Sequence, residues 1–239
     1  TLMRSSAASD VYKRQLRDLP FLRYFILMNG AKVYDRRMDK TLGRAEIPWE
    51  TVEAVIDFLE PLHCSVDCFQ NDRGLMARKY YDRLEQYVTH PPSFALVKRT
   101  REPVDDLKEA VLAGGGSVQK LQAYFPDLEL RPKVMEQCKL AFPDLVQAIS
   151  MPANLEFNAP DATKGNGLRT LCRCLGIDPR EAAAFGDGTN DLSLLQEAGI
   201  GVAMANGAPE TLAAADLTAP SNEEDGVAQI LSRWFPPNT

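Results

Sequence analysis

Residues 164–235 constrain the fold more than any other part of the chain. Apolar periodicity over 164–175 stops at Gly176, as a helix does. A strand pattern follows at 181–185, then helix 190–198, strand 199–204, helix 209–215, strand 216–218 and helix 223–235. Strands alternating with helices over short connections predict a parallel sheet with crossover helices. In such a sheet, ligands bind at the carboxyl ends of the strands. There, directly after Ala182-Ala183-Ala184-Phe185, stands Gly186-Asp187-Gly188-Thr189-Asn190-Asp191. Two carboxylates and an amide between glycines suit a hard cation and a phosphate, because Mg²⁺ takes a few carboxylate oxygens plus waters and substrate phosphate. Taken alone, Asp-Gly and Asn-Asp are equally ordinary turn and helix-cap residues.

The context decides between these readings. The six residues resemble the fourth motif of the haloacid dehalogenase (HAD) superfamily, the Asp-based phosphohydrolases. Upstream, Asn154 to Leu168 resembles the stretch of Cof-type members that ends in the motif-three lysine, here Lys164. Downstream, Gly199 to Gly207 resembles the next core strand and its loop, and Asn222 to Ala228 the start of the closing helix. Met28-Asn29-Gly30-Ala31-Lys32-Val33-Tyr34-Asp35 resembles the N-G-A-x-V-Y-D segment. The resemblance covers residues 154–231 and 24–42 and fades across the middle, where Cof-type proteins carry a variable cap.

Several expectations follow. The fold is α/β, a HAD-like Rossmannoid parallel sheet with an inserted α+β cap of the C2B type. The activity is Mg²⁺-dependent hydrolysis of a small phosphomonoester, often a sugar phosphate. Asp187 is expected to bind the metal, with Asp191 behind it orienting a metal water or Lys164. Lys164 and Asn190 are expected to hold the phosphoryl oxygens, and Asn29 to line the substrate cavity. Physics gives Lys164 partial support. Thr163 or Asp161 is placed to cap the helix, and a lysine in the first turn opposes the helix dipole, a small cost that calls for a reason. A solvated surface lysine is the plain alternative.

The superfamily's nucleophile is absent from these residues. Its motif is D-x-D-G-T, in which one Asp attacks phosphorus and the second handles the leaving-group proton. No D-x-D occurs in the 239 residues, and Phe185 stands where the nucleophile would precede Asp187-Gly188-Thr189. Asp39-Lys40-Thr41-Leu42-Gly43 resembles the phosphorylation motif of P-type ATPases. However, Arg36-Arg37-Met38 is not a buried strand, Leu42-Gly43 replaces Gly-Thr, and no run of about eighteen apolar residues spans a membrane. A hairpin turn fits Asp39 better. Residues 1–15 show no periodicity and no signal-peptide core, and read as a non-native leader. From Leu16 the chain resembles the interior of a Cof-type protein, so the first two core strands, with D-x-D-G-T, are expected to be missing and the chain as given inactive. The rival reading is a non-catalytic HAD-fold phosphate-binding or regulatory protein.

Composition adds bounds. Hydrophobic content of 45% and charged content of 25% suit a globular protein, and a net charge of −6 disfavours nucleic acid as a partner. Five cysteines form no C-x-x-C and have only His63 and His90 as possible co-ligands, so reduced thiols in the cytoplasm are expected, not zinc. A phosphorylated small molecule is the expected partner, with no membrane; the oligomeric state is open.

The expected organisation is a core fragment over 16–45, the cap over 46–152 and the rest of the core over 153–239. Residues 21–28 read as a buried strand, and 32–46 as a hairpin. Within the cap, Trp49, Val52, Val55, Ile56 and Leu59 repeat at helical spacing before Pro61. His63–Phe69, Ser117–Phe125 and Leu145–Met151 read as strands. Tyr80–Val88, Val104–Leu112 and Pro132–Leu140 read as helices, with Pro91-Pro92 ending a unit.

Overall fold

The computed structural model describes residues 21–236. The segment 1–15 expected to be a leader lies outside the described residues. The first strands of the described residues are β1 (Tyr24–Leu27), β2 (Lys32–Asp35) and β3 (Lys40–Arg44), a three-stranded sheet in that order. β1 and β2 run antiparallel, with Leu27 opposite Lys32. The turn between them, Met28-Asn29-Gly30, has φ of 51°, 58° and 105°. Asparagine tolerates this left-handed region and glycine is at ease in it, whereas at Met28 it is costly. Asp39 occupies the turn between β2 and β3, where Tyr34 donates a hydrogen bond to its carboxylate. It is a turn residue, exposed, and not at the end of a buried strand.

An inserted unit, Arg44–Ala162, follows. It contains α1 (Trp49–Leu59), β4 (Ser65–Gln70), β5 (Arg73–Ala77), α2 (Arg78–Tyr81), α3 (Pro91–Thr100), β6 (Arg101–Val104), α4 (Leu107–Ala113), β7 (Lys120–Tyr124), α5 (Leu130–Ala141), β8 (Val146–Ala148) and β9 (Asn154–Asn158). The strands form one sheet in the order β6-β5-β4-β7-β9-β8, antiparallel except for β5 with β6. In α1 the buried residues are Val52, Val55, Ile56 and Leu59, the face that the periodicity predicts. Every residue of β4, β7 and β9 is buried, so both faces of the sheet centre are covered.

Three readings within this unit are corrected. Pro91 does not end an element but starts α3, because the first helical turn has no use for a proline N–H. The helix expected over 80–88 breaks after Tyr81 and resumes only as a 3-10 turn at Leu84–Gln86. The second boundary lies at Ala162, not at 152, because β9 pairs with β7 (Asn154 opposite Tyr124) and so belongs to the inserted sheet.

The chain then returns to the first unit, which comprises Tyr24–Gly43 and the residues from Thr163 onward. Here α6 (Lys164–Leu175), β10 (Ala183–Gly186), α7 (Leu192–Glu197), β11 (Ile200–Met204), α8 (Pro209–Ala214), β12 (Leu217–Ala219) and α9 (Gly226–Trp234) alternate. Each strand falls within or one residue beyond its expected range. β10-β11-β12 is a parallel sheet, with Phe185 opposite Val202 and Met204 opposite Ala219. Val202, Met204, Ala219 and Ile230 form its core, with Phe185, Val227 and Trp234 packed against it. α6 starts at a Thr163 cap and ends at Gly176, whose φ of 69° is the left-handed closure that glycine provides. Among the described residues β10 is an edge strand, and the two three-stranded sheets of this unit are not hydrogen-bonded to each other.

Candidate active site

β10 delivers the loop. Its last residue, Gly186, cannot carry a side chain, since a Cβ there would lie 2.5 Å from the Asp191 Cβ. The chain then turns through one 3-10 turn, Thr189–Asp191, into α7. This brings Asp191 back beneath the loop. Its Oδ2 accepts the N–H groups of Asp187 and Gly188 at 3.1 and 3.0 Å, and its own N–H donates to the Gly188 carbonyl at 2.9 Å. Its Oδ1 pairs with the Lys164 ammonium. Asp191 is 5% exposed, so both oxygens are committed inside the fold.

Lys164 arrives from the first turn of α6. Thr163 Oγ1 accepts from the Asn166 N–H at 3.2 Å and fixes where that turn begins. Gly30 lies against Thr163, close enough that a Cβ there would sit 2.0 Å from the Thr163 carbonyl oxygen. This contact ties the β1–β2 turn to the start of α6. It also brings Asn29, 7% exposed, beside the loop, where Asn190 Nδ2 donates to Asn29 Oδ1 at 3.3 Å.

Asn29, Lys164, Asp187, Asn190 and Asp191 therefore meet at the carboxyl end of β10. The Asp187 carboxylate, half-buried, has no hydrogen-bond or ion-pair partner among the described residues. Its backbone is held from a second side: the Ala208 N–H donates to the Asp187 carbonyl at 2.8 Å. Sequence reasoning missed the Ala208 contact and Ser193, whose Oγ accepts from the Gly165 N–H at 3.1 Å. No residue pattern marks either, because the first is a backbone group and the second a lone serine in a helix.

A sequence model of the haloacid dehalogenase-like hydrolases matches residues 5–231. The chain belongs to that family. A putative phosphatase of Bacillus subtilis, YxeH, is 29% identical over 219 residues, 87% of this chain and 74% of that protein. A 5-amino-6-(5-phospho-D-ribitylamino)uracil phosphatase of Escherichia coli is 35% identical over 106 residues, 44% of this chain and 39% of that one. The chain spans well under half the length of several other curated relatives, 14% of one and 37% of another. The solved structure of a HAD subclass IIB sugar phosphatase superposes with a TM-score of 0.76, covering 97% of this chain and 82% of that one at 23% identity. At that identity the likeness is one of fold, and it is the fold expected for a HAD core carrying an inserted unit.

Proposed function

We propose that this HAD-family chain supplies the metal- and phosphate-binding part of a Mg²⁺-dependent phosphatase acting on small phosphomonoesters, sugar phosphates foremost. One observation carries the reading. Asp191 is consumed by Lys164 and by two backbone N–H groups, whereas the Asp187 carboxylate, with no partner among the described residues, is available to a ligand from outside the protein. A single free carboxylate at a strand end fits Mg²⁺, which keeps waters and substrate phosphate in the rest of its shell. When bound there, the ion would neutralise charge on the transferring phosphoryl group.

The protein groups then have separate tasks. Lys164 places a positive charge against the phosphoryl oxygens, and Asn190 offers an amide N–H. Asp191 holds Lys164 in place and fixes the loop that carries Asp187. Asn29 lines the substrate side. The attacking carboxylate forms an aspartyl-phosphate that water then hydrolyses, and a second carboxylate moves the leaving-group proton. We assign that pair to a D-x-D-G-T segment outside these 239 residues, since no D-x-D occurs within them. The cytoplasm, with its reduced thiols, suits such an enzyme.

The same absence favours a second reading, a HAD-fold protein that binds phosphate and metal without turnover. Purified chain 1–239 is expected not to hydrolyse p-nitrophenyl phosphate. Turnover abolished by Asp39→Asn would overturn both the turn assignment of Asp39 and the need for an outside nucleophile. In the protein joined to its D-x-D-G-T segment, Asp187→Asn is expected to weaken Mg²⁺ binding. Lys164→Ala is expected to cut the rate about a hundredfold or more with the metal still bound. Near-full activity in both variants would refute the site. A gene with no D-x-D upstream of these residues would favour the non-catalytic reading.

A further inference from the structure

The first turn of α6 touches α7 through backbone. A Cβ built on Gly165 would lie 2.3 Å from the Ser193 carbonyl oxygen and 2.8 Å from its carbonyl carbon. Backbone atoms cannot swing aside as a side chain does, so this approach is open only to glycine. The Gly165 N–H is one of the four at a helix start that lack an intrahelical acceptor. It donates to Ser193 Oγ at 3.1 Å, while the next N–H, of Asn166, goes to Thr163 Oγ1. The charges that meet, on Lys164 and Asp191, are thus carried by residues one and two positions away from the backbones that meet.

Lysine is long and flexible, with many rotamers open to it. An ion pair alone does not fix where its ammonium points. Anchoring the Lys164 backbone relative to Asp191 sets the span that the side chain must bridge, so that the ion pair holds few of its rotamers before any ligand arrives, and preorganisation of this kind is what electrostatic catalysis requires. We propose that Gly165 and Ser193 are positioning residues, whose contact sets the Lys164–Asp191 pair and so aims the ammonium. The functional meaning of this rests on Lys164 as the phosphate-binding lysine; the geometry does not.

The test is a pulse of an amine-selective acylating reagent on full chain 1–239, with modification at Lys164 read by mass spectrometry against exposed Lys133. The Lys164 side chain is 15% exposed and paired, so the parent protein should label slowly there. Ser193→Ala is expected to raise labelling of Lys164 relative to Lys133 by about two- to tenfold, the equivalent of one hydrogen bond. Ser193→Thr, which keeps the hydroxyl, should restore it. Gly165→Ala should raise it at least as much; if that variant does not fold, the serine pair decides. Unchanged Lys164 labelling in Ser193→Ala, or a rise shared by all lysines with a lower melting temperature, overturns the proposal and leaves plain helix packing. A separate titration with inorganic phosphate and Mg²⁺, followed by ³¹P line width, tests the phosphate role itself. Equal binding by Lys164→Ala would refute that role, and the labelling result would stand or fall independently.

Discussion

At the scale of single residues, burial separates the five cysteines more sharply than sequence does. Cys64, Cys68, Cys138 and Cys172 are buried, and Cys174 is exposed. Burial pushes the Cys64 thiol up to about 12 and the Cys138 thiol up to about 11, and it raises Cys68 and Cys172 as well. The thiolate is the reactive form, so four thiols are chemically silent at neutral pH while the fold is intact. Titration of the native chain with a thiol-exchange reagent should therefore release one fast equivalent, lost in Cys174→Ser, and five after denaturation. A second fast equivalent in the native protein would contradict this burial pattern. Nothing in the spacing Cys172-x-Cys174 separates its two members. Their fates differ because residue 172 lies on the packed face of α6 with Leu168, and 174 on the opposite side.

At the scale of elements, the sheet of the inserted unit buries charge. Asp67, Gln122 and Glu156 are register partners on β4, β7 and β9, so they share one face. Arg101 Nε donates to Asp67 Oδ2 at 2.9 Å, and its far nitrogen reaches the Tyr124 hydroxyl at 3.3 Å. Lys120 pairs with Glu156 at 2.8 Å. The Phe69 ring lies between the two cations, 4.3 Å from the Arg101 guanidinium and 5.0 Å from the Lys120 ammonium. With side-chain exposures of 2% and 0%, the Arg101–Asp67 pair has no solvent to replace a lost partner. Arg101→Met is expected to destabilise the inserted unit by about 3–5 kcal/mol, because it leaves Asp67 as an uncompensated buried charge. Asp67→Leu added to it should recover part of that loss. Urea unfolding followed at Trp49, the tryptophan of this unit, measures both; a loss under about 1 kcal/mol for Arg101→Met would mean that the Asp67 charge finds another partner.

At the scale of the whole molecule, the two units differ in how their strands are paired. The inserted unit has one sheet of six strands, and the split unit has two of three. β10, which leads into the loop Asp187–Asp191, has a neighbour on one side only among the described residues. Edge strands open first, because their backbone groups reach solvent without disturbing the core. Each unit holds one of the two tryptophans, Trp49 in the inserted unit and Trp234 against Phe185 in the other. Single-tryptophan variants (Trp49→Phe and Trp234→Phe) should therefore show two unfolding transitions in urea. The Trp234 transition should come at the lower concentration, and amide exchange at Phe185 should be faster than at Val202 on the central strand β11. A single shared transition, or equal protection of the two amides, would show that the split unit is as cooperative as the inserted one.

The order of elements from Lys164 to Trp234 was legible in the sequence because each strand and helix there is short and apolar at one period, and α6 is bounded by its Thr163 cap and Gly176. The inserted unit was less legible. β5, β6 and α3 carry no clean alternation: Arg73–Ala77 is a strand because it pairs with β4, Arg101–Val104 because it pairs with β5, and α3 begins at a proline. β9 follows the same logic: residues 154–158 join the inserted sheet through their pairing with β7. For the site, the motif named Asp187, Asn190 and Asp191 and the resemblance added Lys164 and Asn29. What the sequence by itself determined is which residue types stand at the end of β10. Only the tertiary structure decided which of them pair with one another inside the fold. Asp191 turns inward because Gly186 leaves it room, and it takes Lys164 because Gly165 and Ser193 let α6 come close. Those are contacts between backbones far apart in the chain, and no local pattern of side chains encodes them.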